Sequence, residues 1–268
     1  MTAWWNDGLV KRHWATSAAC YPLRPMSALP PFASSSLGSS GLNSSSTTFR
    51  VISIGTLAAN PLWGERGAVR PPHATTTLIV SGKAKILVDP SLPAQALVPR
   101  LVERAGIGPD EITHVFLTSL SPVHRRGILA FERAEWLVSE REREAIGVQL
   151  IEKIREAHEA RDEDLVKTIG QEIAVIERCR PAPDKLAPGV DLFPMPGVTP
   201  GLTGLLLPGR GVTTLVAGDA VATVEHLGAG QVLTPCFDLE AARESFSEAI
   251  EIADWIVCGR DNLVPARG

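Results

Sequence analysis

The stretch Thr118-Ser-Leu-Ser-Pro-Val-His-Arg-Arg-Gly127 follows a short apolar run, His114 to Thr118, whose pattern predicts a buried strand. A proline then turns the chain towards a predicted helix start. Residues that follow a rigid strand are held in fixed positions, and functional side chains are often found at such a transition. The polar side chains of Ser119, Ser121 and His124 are therefore the first candidates for a functional site.

Predicted strands and helices alternate on both sides of this loop. The predicted strands are residues 49–54, 75–80, 84–89, 134–138, 191–193, 204–207, 214–217 and 255–257. The predicted helices are a stretch from Ser91 to about Gly106, a charge-rich stretch from Glu140 to about Cys179, and Leu239 to Asp254. The charged residues of the second stretch are expected to form a solvated face. Two successive halves of this kind predict two β-sheets flanked by helices.

The composition excludes several classes of protein. With 268 residues, 44 % of them hydrophobic, the chain can bury one large core. A net charge of −4 argues against a nucleic-acid partner, and no apolar run approaches the ~18–20 residues that cross a membrane. Four scattered cysteines, at positions 20, 179, 236 and 258, suit neither a structural zinc site nor a disulfide framework. A cytoplasmic setting is expected.

The first 48 residues differ in composition from the rest. Ser34 to Thr48 consists mostly of Ser, Gly and Thr, which predicts a flexible N-terminal tail over residues 1–48 and one domain over residues 49–268. No continuous apolar segment follows Lys11 and Arg12, so a signal peptide is not predicted. We expect removal of the tail to cost little stability.

Five motifs in chain order resemble those of the metallo-β-lactamase superfamily, from about Val51 to Val264. They are Leu87-Val-Asp89-Pro90, Thr118 to Gly127, Pro196-Gly-Val-Thr-Pro-Gly-Leu-Thr-Gly204, Ala217-Gly-Asp219 and Cys258-Gly-Arg-Asp-Asn262. Ser53 to Leu57 and Asn60 to Glu65 are similar to the branch called metallo-β-lactamase domain-containing proteins. The resemblance implies an αββα sandwich of two mixed β-sheets, and a metal-dependent hydrolase as its ancestral activity.

The ligands of two metal ions, as the resemblance implies them, are mostly replaced here. The first ion would use the positions of Ser119, Ser121, Val198 and Asp219, and the second those of Val123, His124, Arg260 and Asp219. Zinc needs at least three protein ligands even in open catalytic sites, and a guanidinium cannot coordinate a metal. No cofactor is therefore expected, with residual zinc at the retained His124 and Asp219 as the less favoured alternative.

Three functions remain open at this point. The first is a binding or interaction module that has lost hydrolase activity, with an unidentified small molecule or protein as its partner and neither nucleic acid nor membrane. The second is a hydrolase that keeps one metal at His124 and Asp219. The third is a metal-free enzyme with Ser121 as nucleophile and His124 as base.

A carboxylate left alone in a former metal site would be costly to bury. Arg260, at a ligand position of the second ion, could pair with Asp219 through two parallel hydrogen bonds. We therefore expect an ion pair within ~4 Å, with His124 and the two loop serines lining the same pocket. Asp89, at the end of a predicted strand, could cap that strand or belong to the pocket, and the cap is the favoured expectation.

Overall fold

The structure is a computed structural model that describes residues 47–267. The predicted tail lies outside the described residues except for Thr47 and Thr48. Thr48 is the first residue of a strand, and the hydroxyl of Thr47 donates a hydrogen bond to the Pro188 carbonyl (2.9 Å). These two residues, placed in the tail from their composition, are therefore part of the folded domain.

In the described residues, the strands of the first half form one mixed sheet in chain order. They are β1 (Thr48–Ser53), β2 (Thr76–Ser81), β3 (Ala84–Val88), β4 (His114–Leu117), β5 (Glu135–Val138) and β6 (Arg180–Pro181). The pairs β1–β2 and β2–β3 are antiparallel, and β3 to β6 run parallel. The parallel strands place the segments that follow β3 and β4 side by side.

The second half forms a second sheet in the order β12-β11-β10-β9-β8-β7. Its strands are β7 (Lys185–Ala187), β8 (Val190–Pro194), β9 (Thr203–Pro208), β10 (Thr213–Gly218), β11 (Trp255–Cys258) and β12 (Leu263–Pro265). Only the β10–β11 pair is parallel among these described strands. Each half therefore forms a six-stranded mixed sheet, with three parallel pairs in the first and one in the second.

The helices of residues 47–267 lie on the outer faces of the sheets. They are α1 (Ala94–Ala105), α2 (Glu140–Glu159), α3 (Glu163–Arg178), α4 (Val224–Ala229) and α5 (Leu239–Ile252). Residues of α1, α2 and α3 pack on the first sheet, and residues of α5 pack on the second. None of these helices combines the length and apolarity that a membrane crossing requires.

The alternating direction of side chains along the strands explains how the two sheets and the helices pack in layers. Phe116 of β4 and Val216 of β10 belong to the core between the sheets. Their neighbours Val115 and Leu117 pack towards the helices of the first sheet, and Leu215 packs towards α5. Successive strand residues point to opposite faces of the sheet. One apolar strand therefore contributes side chains both to the core between the sheets and to the core under the helices. This arrangement confirms the predicted αββα sandwich.

Two local predictions need correction, and four short elements were not predicted. The helix expected after His124 is instead a pair of 3-10 turns, Pro122–His124 and Ile128–Phe131. The helical stretch from Glu140 breaks at Arg161, whose φ of 56° is left-handed, and Asp162 caps α3 by accepting a hydrogen bond from the Leu165 amide. The short elements β6, β7, β12 and α4 were not predicted, because each is too short to show a period.

The close packing of α5 on the chain after β8 requires glycine at position 197. Gly197 has φ of 136°, and a Cβ there would lie 2.1 Å from the backbone nitrogen of Ala242. We predict that Gly197→Ala lowers the free energy of unfolding by roughly 1–3 kcal/mol or more, through overpacking and backbone strain. Gly228→Ala is the control, because a Cβ at that helical position meets nothing within 4 Å. Equal urea midpoints for the two variants would contradict this packing argument.

Candidate functional site

The ends of β4 and β10 bring two distant parts of the chain together. Gly218, with φ of 54°, packs against Thr118, such that a Cβ at 218 would lie 2.7 Å from the Thr118 hydroxyl oxygen. The Thr203 amide also donates to the Thr118 carbonyl (3.1 Å). His124 and Asp219, each a few residues further on, therefore meet, with 3.0 Å between Nε2 and Oδ2.

Asp219 and Arg260 form a buried, two-pronged ion pair. Arg260 Nε donates to Asp219 Oδ1 at 2.7 Å, and Arg260 Nη2 donates to Oδ2 at 2.6 Å. Asp219 is 5 % exposed and Arg260 is 7 % exposed. The planar guanidinium matches the two carboxylate oxygens, which makes this one of the stronger pairings available to a protein. The expected ion pair is confirmed.

His124 lies between two carboxylates. Its Nδ1 is 3.1 Å from Asp89 Oδ2, and its Nε2 is 3.0 Å from Asp219 Oδ2 and 3.1 Å from Arg260 Nη2. Asp89 also accepts hydrogen bonds from the Thr118 amide (2.9 Å) and hydroxyl (2.6 Å). A continuous polar chain thus runs from Thr118 through Asp89, His124 and Asp219 to Arg260, and we call these five residues the buried polar chain.

The favoured expectation, that Asp89 caps its strand, was wrong, and its contacts agree with the alternative of a pocket group. Because β3 and β4 are parallel neighbours with Val88 opposite Phe116, the residues just beyond their ends lie close together. Asp89 has φ of 49°, a left-handed conformation that Asp tolerates. Its carboxylate therefore reaches both Thr118 and His124 and fixes the orientation of the imidazole ring.

The charges of the buried polar chain set its protonation. Burial alone would raise the pKa of Asp219, but Arg260 and His124 outweigh it and hold that pKa far below its usual range. Burial alone would lower the pKa of His124, but Asp219 and Asp89 outweigh it and raise that pKa to about 9. Burial likewise opposes the Arg260 charge, yet Asp219 raises the pKa of Arg260. Two carboxylates, one imidazolium and one guanidinium therefore balance each other.

The other predicted site residues are placed less centrally. The Ser119 hydroxyl donates to Glu142 Oε1 (3.0 Å), and the Ser121 amide donates to the Ser119 hydroxyl (3.1 Å). Val123 is partly exposed, and Val198 packs at the edge of the core under α5. None of the four makes a polar contact with Asp219 in the described part of the chain. That they line one pocket with Asp219 stays a prediction.

Sequence reasoning missed Glu142, whose side chain is fully buried. Its Oε1 accepts hydrogen bonds from the Ser119 hydroxyl and the Leu120 amide, both at 3.0 Å. Its Oε2 accepts from the Thr199 hydroxyl (2.8 Å) and the Gly201 amide (2.9 Å). One carboxylate thus joins the loop after β4 to the loop between β8 and β9, and the expectation of a wholly solvated charged face was wrong here.

The sequence marks Glu142 as part of a helix start but not as a buried residue. Ser139 followed three residues later by Glu142 is the pattern of a helix start. The Ser139 hydroxyl does cap α2 by accepting from the Glu142 amide (3.2 Å), and it donates to the Gly201 carbonyl (2.5 Å). The Glu142 side chain, however, points into the protein interior and not back towards the backbone of Ser139. Only the tertiary position of Gly201 shows this.

The first prediction at the site concerns Glu142. Glu142→Gln keeps the shape but replaces one accepting oxygen with a donor that faces two other donors. We expect a loss of roughly 2–3 kcal/mol in the free energy of unfolding, because hydrogen bonds to a charged group are broken. Urea denaturation measures this, with the exposed Glu144→Gln on the same helix as control. A Glu142 variant as stable as the Glu144 variant would refute the role given to this carboxylate.

The ion pair can be tested with a double-mutant cycle. Arg260→Ala alone is expected to destabilise the fold by roughly 3–5 kcal/mol, because it leaves the Asp219 charge buried without its main partner. Removing both charges in the Asp219→Ala/Arg260→Ala variant should cost much less than the sum of the two single changes. Additive free energies of unfolding would show that the two side chains do not depend on each other.

The raised pKa of His124 predicts how stability changes with pH. An unfolded histidine has a pKa of about 6.5, whereas that of His124 in the fold is about 9. The stabilisation is therefore fully present below pH ~6.5 and is lost as pH rises through about 9, by at most ~1.4 kcal/mol per pH unit. Denaturation curves from pH 6 to 10 measure it, and His124→Gln should remove this part of the dependence. An unchanged pH profile in that variant would overturn the assignment.

Comparison with solved structures shows similarity over most of the chain. A putative metallo-beta-lactamase from Thermotoga maritima matches with 17 % identity and a TM-score of 0.59, covering 82 % of this chain and 99 % of that one. AidC, described as a dizinc quorum-quenching lactonase, matches with 18 % identity and a TM-score of 0.56, covering 73 % and 77 %. The hydrolase AbOPH matches with 19 % identity and a TM-score of 0.54, covering 79 % and 83 %.

These identities show a shared fold. No curated protein matches the sequence significantly. The family model described as "Metallo-beta-lactamase superfamily" matches residues 69–258, which is more than half of the chain. The matched range includes Asp89, His124 and Asp219. The motifs, the αββα sandwich and this match agree, and the chain belongs to the metallo-β-lactamase superfamily.

Proposed function

We propose that this member of the superfamily does not carry out two-metal hydrolysis and that it acts by binding a partner. The observation that carries the proposal is the bidentate Asp219–Arg260 pair, with 2.7 and 2.6 Å between donor and acceptor atoms. A guanidinium on the carboxylate that would bridge two metal ions supplies positive charge without any ion. Both oxygens of Asp219 are used by Arg260, and one of them also faces His124.

The donor chemistry at the site does not fit a metal centre. His124 and Asp219 are the retained ligand types, and each already contacts a protein partner through both of its polar atoms. The Arg260 guanidinium would have to leave before a cation could approach, because a fixed positive charge repels one. In residues 47–267 no group of three His, Cys, Asp or Glu side chains is arranged to hold a metal ion. These side chains therefore do not provide for a metal-dependent catalytic step.

The arrangement also gives little support to serine catalysis. A serine nucleophile needs a base within hydrogen-bond distance. His124 directs Nδ1 towards Asp89 and Nε2 towards Asp219. The raised pKa of His124 favours its protonated form at neutral pH, in which it cannot accept a proton from Ser121. These contacts of His124 therefore favour a binding role over the other two hypotheses.

Metal loading together with activity measurements tests the proposal. The full chain would be incubated with excess Zn²⁺ or Fe²⁺, desalted, and analysed for bound metal by mass spectrometry. We expect far less than one ion per chain, with no difference between the wild type and Asp219→Asn. No turnover of N-hexanoyl homoserine lactone, p-nitrophenyl acetate or a chromogenic β-lactam is expected above that of Asp219→Asn. Near-stoichiometric metal with turnover that Asp219→Asn abolishes would establish the single-metal hydrolase instead.

A variant with histidine at position 260 makes the metal-binding test more stringent. Arg260→His restores an imidazole at one ligand position, but valine still occupies two ligand positions and serine another two. We expect Arg260→His to bind no more zinc than the wild type, because the position of Val123 still lacks a carboxylate and three of the four positions of the first ion still hold serine or valine. Stoichiometric zinc in this variant would show that a single arginine keeps the metal out and that the remaining ligands suffice.

A further inference from the structure

We draw no further inference here: the strongest candidate, the exposed apolar patch of Trp63 and Val69 on the loop between β1 and β2, carries none, because nothing in the structure shows what covers it.

Discussion

The pairing of Asp219 with Arg260 is the interaction on which the account of this site depends. Asp219 follows β10 at the point where the two sheets meet, and a carboxylate buried there needs a positive partner. Arg260 supplies it through two hydrogen bonds from a residue just beyond β11, the parallel neighbour of β10. His124 completes the balance by bridging to Asp89 on the other sheet. The charges of the site are therefore satisfied by protein groups alone.

Glu142 gives the surrounding loops a comparable internal support. Its two oxygens bind one loop from each half of the sandwich, which fixes the position of the chain around the ion pair. A buried carboxylate with four donors is rigid, and its removal would leave those donors unpaired. Together the buried polar chain and Glu142 explain how a fold shared with metal-dependent relatives can keep its site ordered through side chains. The proposed binding role rests on these contacts between protein groups.

Much of this fold was predictable because its strands are apolar runs with clear boundaries, and Phe116 and Val216 show the alternation directly. The ion pair was predictable because the resemblance to the superfamily assigns Asp219 and Arg260 to ligand positions that face one space. Glu142 was missed because a charged residue on a charge-rich helix gives no sign of burial until Gly201 is seen against it. Asp89 was misjudged for a related reason, since its contact with His124 depends on the parallel register of β3 and β4. Contacts between distant segments are the part that local patterns do not encode.

The most direct test of the central claim is a crystal structure of the full chain grown with excess zinc, with anomalous scattering recorded at the zinc edge. The account predicts no anomalous peak between His124 and Asp219, and a guanidinium of Arg260 that keeps both hydrogen bonds to Asp219. An anomalous peak bound to His124 and Asp219, with Arg260 turned away from the carboxylate, would contradict it.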